Sequence, residues 1–282
     1  MQYVKYSAYL KTASLGFSEL SCPHCGAPVL SLRNKEAICH LCEGFVSTAR
    51  EELLQKNEAL YSGLFKIHDL IAANSVEDAL SLLETISASL PDGDIRPAYG
   101  AAVIYALISD YKYYSVNYNL PGFMEENSKN IYSSLDLISK SKKLLYKTIK
   151  SVGSADGGEA DESLLYLKFI SYIKLKRVAD ARDALYGFRN LKSTGLQYEY
   201  AKMVYTVEAG GSDAWGFLQP MLSGSYPNAF AYFARYMAKN EKTAKARLEA
   251  KLILSELMKR CYMPQMQFFI RRIDAAEEET RI

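Results

Sequence analysis

Cys22-Pro23-His24-Cys25 and Cys39-His40-Leu41-Cys42 are two Cys-x-x-Cys hooks, and thirteen residues separate them. Together they use four of the five cysteines in the chain. The two-residue gap lets both sulfurs of a hook reach one ion, and four thiolates complete the tetrahedral coordination of Zn²⁺. The spacing therefore predicts one zinc ion bound by Cys22, Cys25, Cys39 and Cys42. Because such a site has no open position for water or substrate, the metal stabilises a fold and performs no chemistry.

Iron or a pair of disulfides are the alternatives for these four cysteines. Disulfides require an oxidising compartment, yet the first residues, Met1-Gln2-Tyr3-Val4-Lys5-Tyr6, contain no apolar run of signal-peptide length. No stretch of the chain reaches the roughly 18 apolar residues of a membrane span. We therefore expect a cytoplasmic protein with no membrane partner. With four cysteines available as ligands, we expect His24 and His40 to face solvent.

Short alternating segments surround the hooks. Residues 17–20 and 28–32 flank the first hook and Glu36-Ala37-Ile38 enters the second, which is typical of short strands. Gly26 and Gly44 follow the hooks, where a Cβ would clash as the chain bends around the ion. These features resemble the zinc-ribbon superfamily, which implies a small β module. The first hook also resembles one half of a rubredoxin, which implies iron and electron transfer, but the second hook lacks the proline and the adjacent glycine.

The remainder of the chain has helical periodicity. The chain has 282 residues, of which 49% are hydrophobic, and a module of about 50 residues cannot bury most of them. From Arg50 onward apolar residues recur at helical spacing, first at Leu53, Leu60, Leu64, Ile67 and Ile71. We predict a mainly α protein with nine or ten helices, in which a zinc-ribbon module at 1–48 precedes a helical domain at 50–282. The formal charge of only +2 indicates no global attraction to nucleic acid or membranes.

A repeat underlies the helical pattern. Residues 76–83 and 178–185 align without gaps, and Ala79 and Ala181 are separated by three times the 34-residue period of tetratricopeptide repeats. Residues 211–218 continue the pattern 33 residues later. The helical part therefore resembles tetratricopeptide repeats, and the whole chain resembles prokaryotic proteins that join a zinc ribbon to such a tail. The resemblance implies an α-solenoid that binds a protein or peptide. Residues 97–150 depart from it, with two longer helices.

Two sets of surface residues are candidates for partner binding. On the first helices of the predicted pairs, the candidates are Tyr61, Lys66, Lys168 and Tyr172. On the helix predicted from Ile131 to Lys150, a stripe opposite the apolar face could meet phosphates or an acidic partner, and it consists of Lys140, Lys143, Lys147 and Lys150. A solvated lysine face and aromatic packing between helices are the alternative interpretations.

Catalytic patterns are missing from the sequence. The glycine-rich segment at 151–158 lacks the Gly-Lys-Ser/Thr ending of a phosphate loop, and it follows a helix where that motif requires a strand. We therefore predict a non-enzymatic zinc-binding scaffold for a protein partner, with no small-molecule substrate. The alternative is a nucleic-acid or ribonucleoprotein-associated factor that uses the ribbon and the lysine helix.

Overall fold

The structure is a computed structural model. It describes residues 22, 24–25, 36–39, 42–47, 58–90, 95–114, 123–153, 162–190, 196–209, 244–260, 270 and 273–274. The predicted strands at 17–20 and 28–32 lie outside these residues, as do His40, Gly26 and the third aligned segment at 211–218.

Two short strands lie next to the second hook. Strand β1 (Glu36–Ile38) pairs antiparallel with β2 (Phe45–Ser47), and Ile38 faces Phe45 at the closed end. The second hook is therefore the loop of this hairpin. The strand predicted at Glu36-Ala37-Ile38 is confirmed, whereas β2 was not predicted from the sequence.

Eight helices account for most of the described residues, so the mainly helical prediction is confirmed. They are α1 (Glu58–Ala72), α2 (Val76–Ala88), α3 (Ile95–Tyr114), α4 (Phe123–Gly153), α5 (Glu162–Lys174), α6 (Val178–Asn190), α7 (Leu196–Glu208) and α8 (Ala244–Arg260). The two longer helices expected within 97–150 are α3 and α4. Within the described part of the chain, none of the helices is both long enough and apolar enough to cross a membrane.

From α1 to α7 the helices pack in chain order, each against the next. The odd-numbered helices also contact one another, so that α5 touches both α3 and α7. Between α3 and α4, buried serines cross-link the helices: Ser141 donates to the carbonyl of Ala102 at 2.7 Å, and Ser109 donates to the carbonyl of Ser134 at 2.9 Å. The buried apolar side chains form one cluster that includes the four hook cysteines.

The turns after α1 and α5 are built in the same way. Asn74 and Lys176 both have a φ of 61°. In each turn this residue donates to the carbonyl three residues earlier at 3.0 Å, and the next residue donates to the carbonyl five residues earlier at 2.8–2.9 Å. Both helices therefore end in a Schellman motif, which usually has glycine at the left-handed position.

Replacing Lys176 by glycine should raise the free energy of unfolding by about 1 kcal/mol, because glycine has no Cβ to clash at this φ. The exposed pair of Lys176 with Glu208, at 3.2 Å, offsets this gain by only a few tenths of a kcal/mol. Asn74→Gly is the control and should give no gain. Asparagine tolerates this conformation, and its side chain accepts a hydrogen bond from Tyr111 at 2.6 Å. Urea unfolding measures both, and equal effects of the two changes would contradict the argument.

Candidate metal centre

The sulfurs of the two hooks converge on one point. All four lie within 4.8 Å of one another, and all four cysteines are completely buried. The Sγ atoms of Cys22 and Cys42 are 3.7 Å apart, as are those of Cys25 and Cys39. A tetrahedron with metal–sulfur bonds of about 2.3 Å has edges of about 3.8 Å. The four cysteines are therefore positioned to bind one metal ion, as the spacing predicted.

Backbone amides support the sulfurs within each hook. The N–H of His24 donates to Cys22 Sγ at 3.4 Å, and the N–H of Gly44 donates to Cys42 Sγ at 3.2 Å. In both hooks the donor is two residues after the acceptor. Donors of this kind stabilise the negative charge on a thiolate and fix the direction in which the sulfur points.

Burial raises the pKa of the Cys25 and Cys42 thiols well above the ordinary value, because desolvation penalises the thiolate. Four thiolates packed this closely also repel one another. A bound cation reverses both effects, since it stabilises the deprotonated form of every ligand. The arrangement of the sulfurs is therefore suited to a metal-bound state.

His24 is buried and does not face solvent, so the expectation for this residue was wrong. Only 1% of its surface is exposed, and its ring lies edge-on to Tyr99 with centroids 6.3 Å apart. The reason is that the first hook packs against helix α3. His24 is therefore a packing residue next to the metal ligands.

Three tyrosines from three helices hold the second hook. Tyr99 donates to the backbone carbonyl of Cys42, Tyr166 donates to the carbonyl of Glu43 at 2.5 Å, and Tyr200 donates to Glu43 Oε1 at 3.0 Å. Burial raises the pKa of Tyr99 and of Tyr166 well above the ordinary value, so both hydroxyls stay protonated and act as donors. Each tyrosine is the fifth residue of its helix, in α3, α5 and α7 respectively.

Glu43 is a buried carboxylate that is bound by Lys174 and Tyr200. Its side chain is 5% exposed, and its Oε2 accepts from Lys174 Nζ at 2.8 Å while Oε1 accepts from Tyr200. Lys174 follows Tyr166 by two helical turns, so both project from the same face of α5. We call residues 42–44 the acidic turn. Glu43 has a φ of 63°, which directs its side chain away from the metal and toward the helices.

Two glycines permit the close approach of the hooks to their surroundings. A Cβ on Gly100, in α3, would lie 1.4 Å from the backbone oxygen of His24, and a Cβ on Gly44 would lie 2.4 Å from the His24 ring. The first contact is with backbone, which cannot rotate away. Any side chain at Gly100 would therefore force α3 and the first hook apart. The clash expected at Gly44 is confirmed.

The partner-binding residues predicted on the first helix of each helical pair lie on α1 and α5. Lys66 is exposed on α1, whereas Lys168 and Tyr172 are half-buried on α5. Lys168 lies about 200° around the helix from Tyr166, on the side away from the hooks. Tyr172 packs its ring against the Arg177 guanidinium, 5.2 Å from the ring centroid. The side chain of Tyr61 lies outside the described residues.

The first residue of the predicted lysine stripe, Lys140, is paired with acidic residues of the protein itself. Lys140 forms ion pairs with Glu84 on α2, at 2.8 Å, and with Asp136, at 3.1 Å, and the hydrogen bond to Glu84 raises the pKa of Lys140. Lys140 therefore helps to join α4 to α2. The other three members lie along α4, with Lys143 and Lys150 exposed and Lys147 half-buried.

The residues that hold the hooks against the helices were not predicted from the sequence. Tyr166 and Tyr200 are 34 residues apart, which is the period found in the alanine pattern, and Tyr99 precedes Tyr166 by 67 residues, close to twice that period. This spacing is the feature of the sequence from which the three tyrosines could have been predicted to occupy equivalent positions. Comparison of the chain with protein-family models, curated proteins and solved structures gave no match.

The purified protein should contain one equivalent of metal per chain, and Cys25→Ser should lose it, because three thiolates hold a structural ion much less tightly than four. Elemental analysis of protein prepared without chelator measures this. Ser139→Ala on α4, an exposed serine, is the control and should keep the full equivalent. Finding the same metal content in Cys25→Ser and the control would show that the hooks do not form the site.

Lys174→Met should lower the free energy of unfolding by about 3 kcal/mol, because it removes the ammonium group that pairs with the buried Glu43 carboxylate. Lys259→Met is the matched control. Lys259 is 70% exposed and pairs with Glu256 at 3.3 Å, so its loss should cost less than about 1 kcal/mol. Urea unfolding of the metal-loaded proteins compares the two. Equal losses would mean that the contact between Lys174 and Glu43 contributes no more than a surface pair.

Proposed function

We propose that this chain is a non-enzymatic, zinc-stabilised helical-repeat scaffold that binds a protein partner. The observation that carries the proposal is the closed site: four buried sulfurs at tetrahedral spacing leave no coordination position for a substrate. A metal held in this way contributes folding energy and no reactivity. The hooks and the helices then act together as a binding platform.

Zinc is the metal that fits this role best. Thiolates at tetrahedral spacing are the usual ligands of structural zinc, and the proposed cytoplasmic location would keep the four thiols reduced. Iron in a rubredoxin-like site would exchange electrons with a partner, but the second hook lacks the proline and glycine of the rubredoxin pattern.

An α-solenoid of tetratricopeptide type is the arrangement that we propose for residues 50–282, after a zinc-ribbon module at 1–48. Three features support it: the helices from α1 to α7 pack in chain order, α5 contacts the odd-numbered helices on both sides, and the turns after α1 and α5 share one Schellman geometry at positions 102 residues apart. Stacked hairpins of this kind offer extended surfaces to a peptide or a folded protein.

A protein is the proposed partner, and the proposed contact surface includes Lys66 on α1 with Lys168 and Tyr172 on α5. The acidic turn faces the opposite side of α5, so it does not cover this surface. Nucleic acid is the competing partner, through the lysines of α4. The ion pairs of Lys140 disfavour this alternative, because they use one cation of the stripe within the protein.

Affinity capture from the native host tests the choice between the two partners. The double change Lys66→Glu and Lys168→Glu should abolish co-purification of the protein partner, because it reverses two charges on the proposed surface. The matched double change on α4, Lys143→Glu and Lys147→Glu, should leave the capture unchanged. If only the α4 changes remove the bound material, and that material is RNA or DNA whose binding falls steeply with salt, the scaffold proposal is wrong.

A further inference from the structure

The face of α3, α5 and α7 that holds the acidic turn has the chemistry of a recognition surface. We call it the donor face, and it consists of Tyr99, Tyr166, Lys174 and Tyr200. Three hydroxyls and one ammonium point at two backbone carbonyls and one carboxylate. Apolar side chains would suffice to pack two modules together. This set of donors, in contrast, distinguishes the segments that it binds by their charge and by the geometry of their turn.

The helices themselves build the donor face. Its four residues come from α3, α5 and α7, which contact one another directly through α5. The acidic turn lies 57 residues before Tyr99 and 157 residues before Tyr200 in the chain, so it occupies this face as a separate segment would. The face is therefore organised to receive a turn from outside the helices.

We propose that the donor face is a binding surface for acidic turns, and that the chain's own acidic turn occupies it as an autoinhibitory contact. The external ligand is a protein segment that presents a carboxylate at a left-handed position, flanked by two accessible carbonyl oxygens, as Glu43 does at a φ of 63°. This inference adds a second binding surface to the proposed scaffold and rests on its role as a protein-binding molecule.

Competition sets the strength of the inhibition. A tethered ligand acts at an effective concentration on the order of 1 mM, so an external turn at micromolar concentration cannot displace it. Any change that moves the acidic turn from the donor face removes this competitor. The affinity for an external acidic turn should then rise although no residue of the donor face has changed.

Two variants weaken the hold of the donor face on the acidic turn by different routes: one displaces the hooks, and the other removes the contacts of the Glu43 side chain while the carbonyl contacts remain. Gly100→Ala places a Cβ where the His24 carbonyl lies, 1.4 Å away, and so separates the first hook from α3 while all four metal ligands remain. Glu43→Gly removes the internal carboxylate, and glycine suits the φ of 63°. Gly187→Ala is the matched helical control, because its Cβ would meet only Leu165 Cδ1 at an ordinary 4.0 Å.

The probe is a fluorescent peptide with the sequence of residues 36–47, closed by a disulfide between its two cysteines. Fluorescence anisotropy should show that the peptide binds Gly100→Ala and Glu43→Gly at least about tenfold more tightly than it binds the unchanged protein or Gly187→Ala. Adding Lys174→Met to either variant should remove this gain. A peptide with glutamine in place of the glutamate should bind at least about tenfold more weakly, because it lacks the charge that Lys174 recognises.

Circular dichroism and metal content of each variant complete the test. Tighter binding by both variants, with helicity and metal retained, supports the proposal. Binding no tighter than that of the unchanged protein overturns it, and so does equal binding of the glutamine peptide. Loss of helicity in both variants also overturns it, because the contact of the acidic turn with the donor face would then be required for the helices to fold. Partner capture that depends on Lys66 and Lys168 uses proteins in which the donor face and the acidic turn are unchanged, and it is decided separately.

Discussion

Four sulfurs buried within 4.8 Å of one another cannot all be thiolates unless a cation lies between them. This electrostatic constraint governs the N-terminal part of the chain. It fixes the relative positions of the two hooks, and through Cys42 and the hairpin of β1 and β2 it fixes the acidic turn. The helices then contact a rigid turn whose carbonyl groups have defined directions.

The contact between the metal centre and the helices includes three tyrosine hydrogen bonds and one buried ion pair. Buried hydroxyls and an ion pair add little net stability over apolar packing, because each group is desolvated. They do impose a single geometry, since a small displacement leaves a donor or a carboxylate unsatisfied. Gly100 adds a steric limit on the other hook, where α3 approaches to backbone contact. Together these contacts specify one position for the metal centre.

The local parts of the fold could be predicted from the sequence, and the long-range contacts could not. The hooks identified their own ligands because metal chemistry restricts residue type and spacing. Helical periodicity identified helices such as α2, which buries one face through Val76, Ala79, Leu83 and Ile86. Tyr99, Tyr166 and Tyr200, however, have the pattern of ordinary core aromatics, and one glycine within a helix does not indicate what approaches it. No feature of the sequence near Tyr200 indicates that its hydroxyl binds Glu43, which lies 157 residues earlier in the chain.

The order of the contacting residues along the chain has a consequence for biosynthesis. Glu43 leaves the ribosome long before Tyr200, and at about 5–20 residues per second the 157 residues between them take roughly 8 to 30 s to translate. Hooks that bind their metal ion during synthesis would hold the acidic turn in place before its last contact exists. Tyr99, Tyr166 and Tyr200 would then reach the acidic turn one after another, in the order of translation.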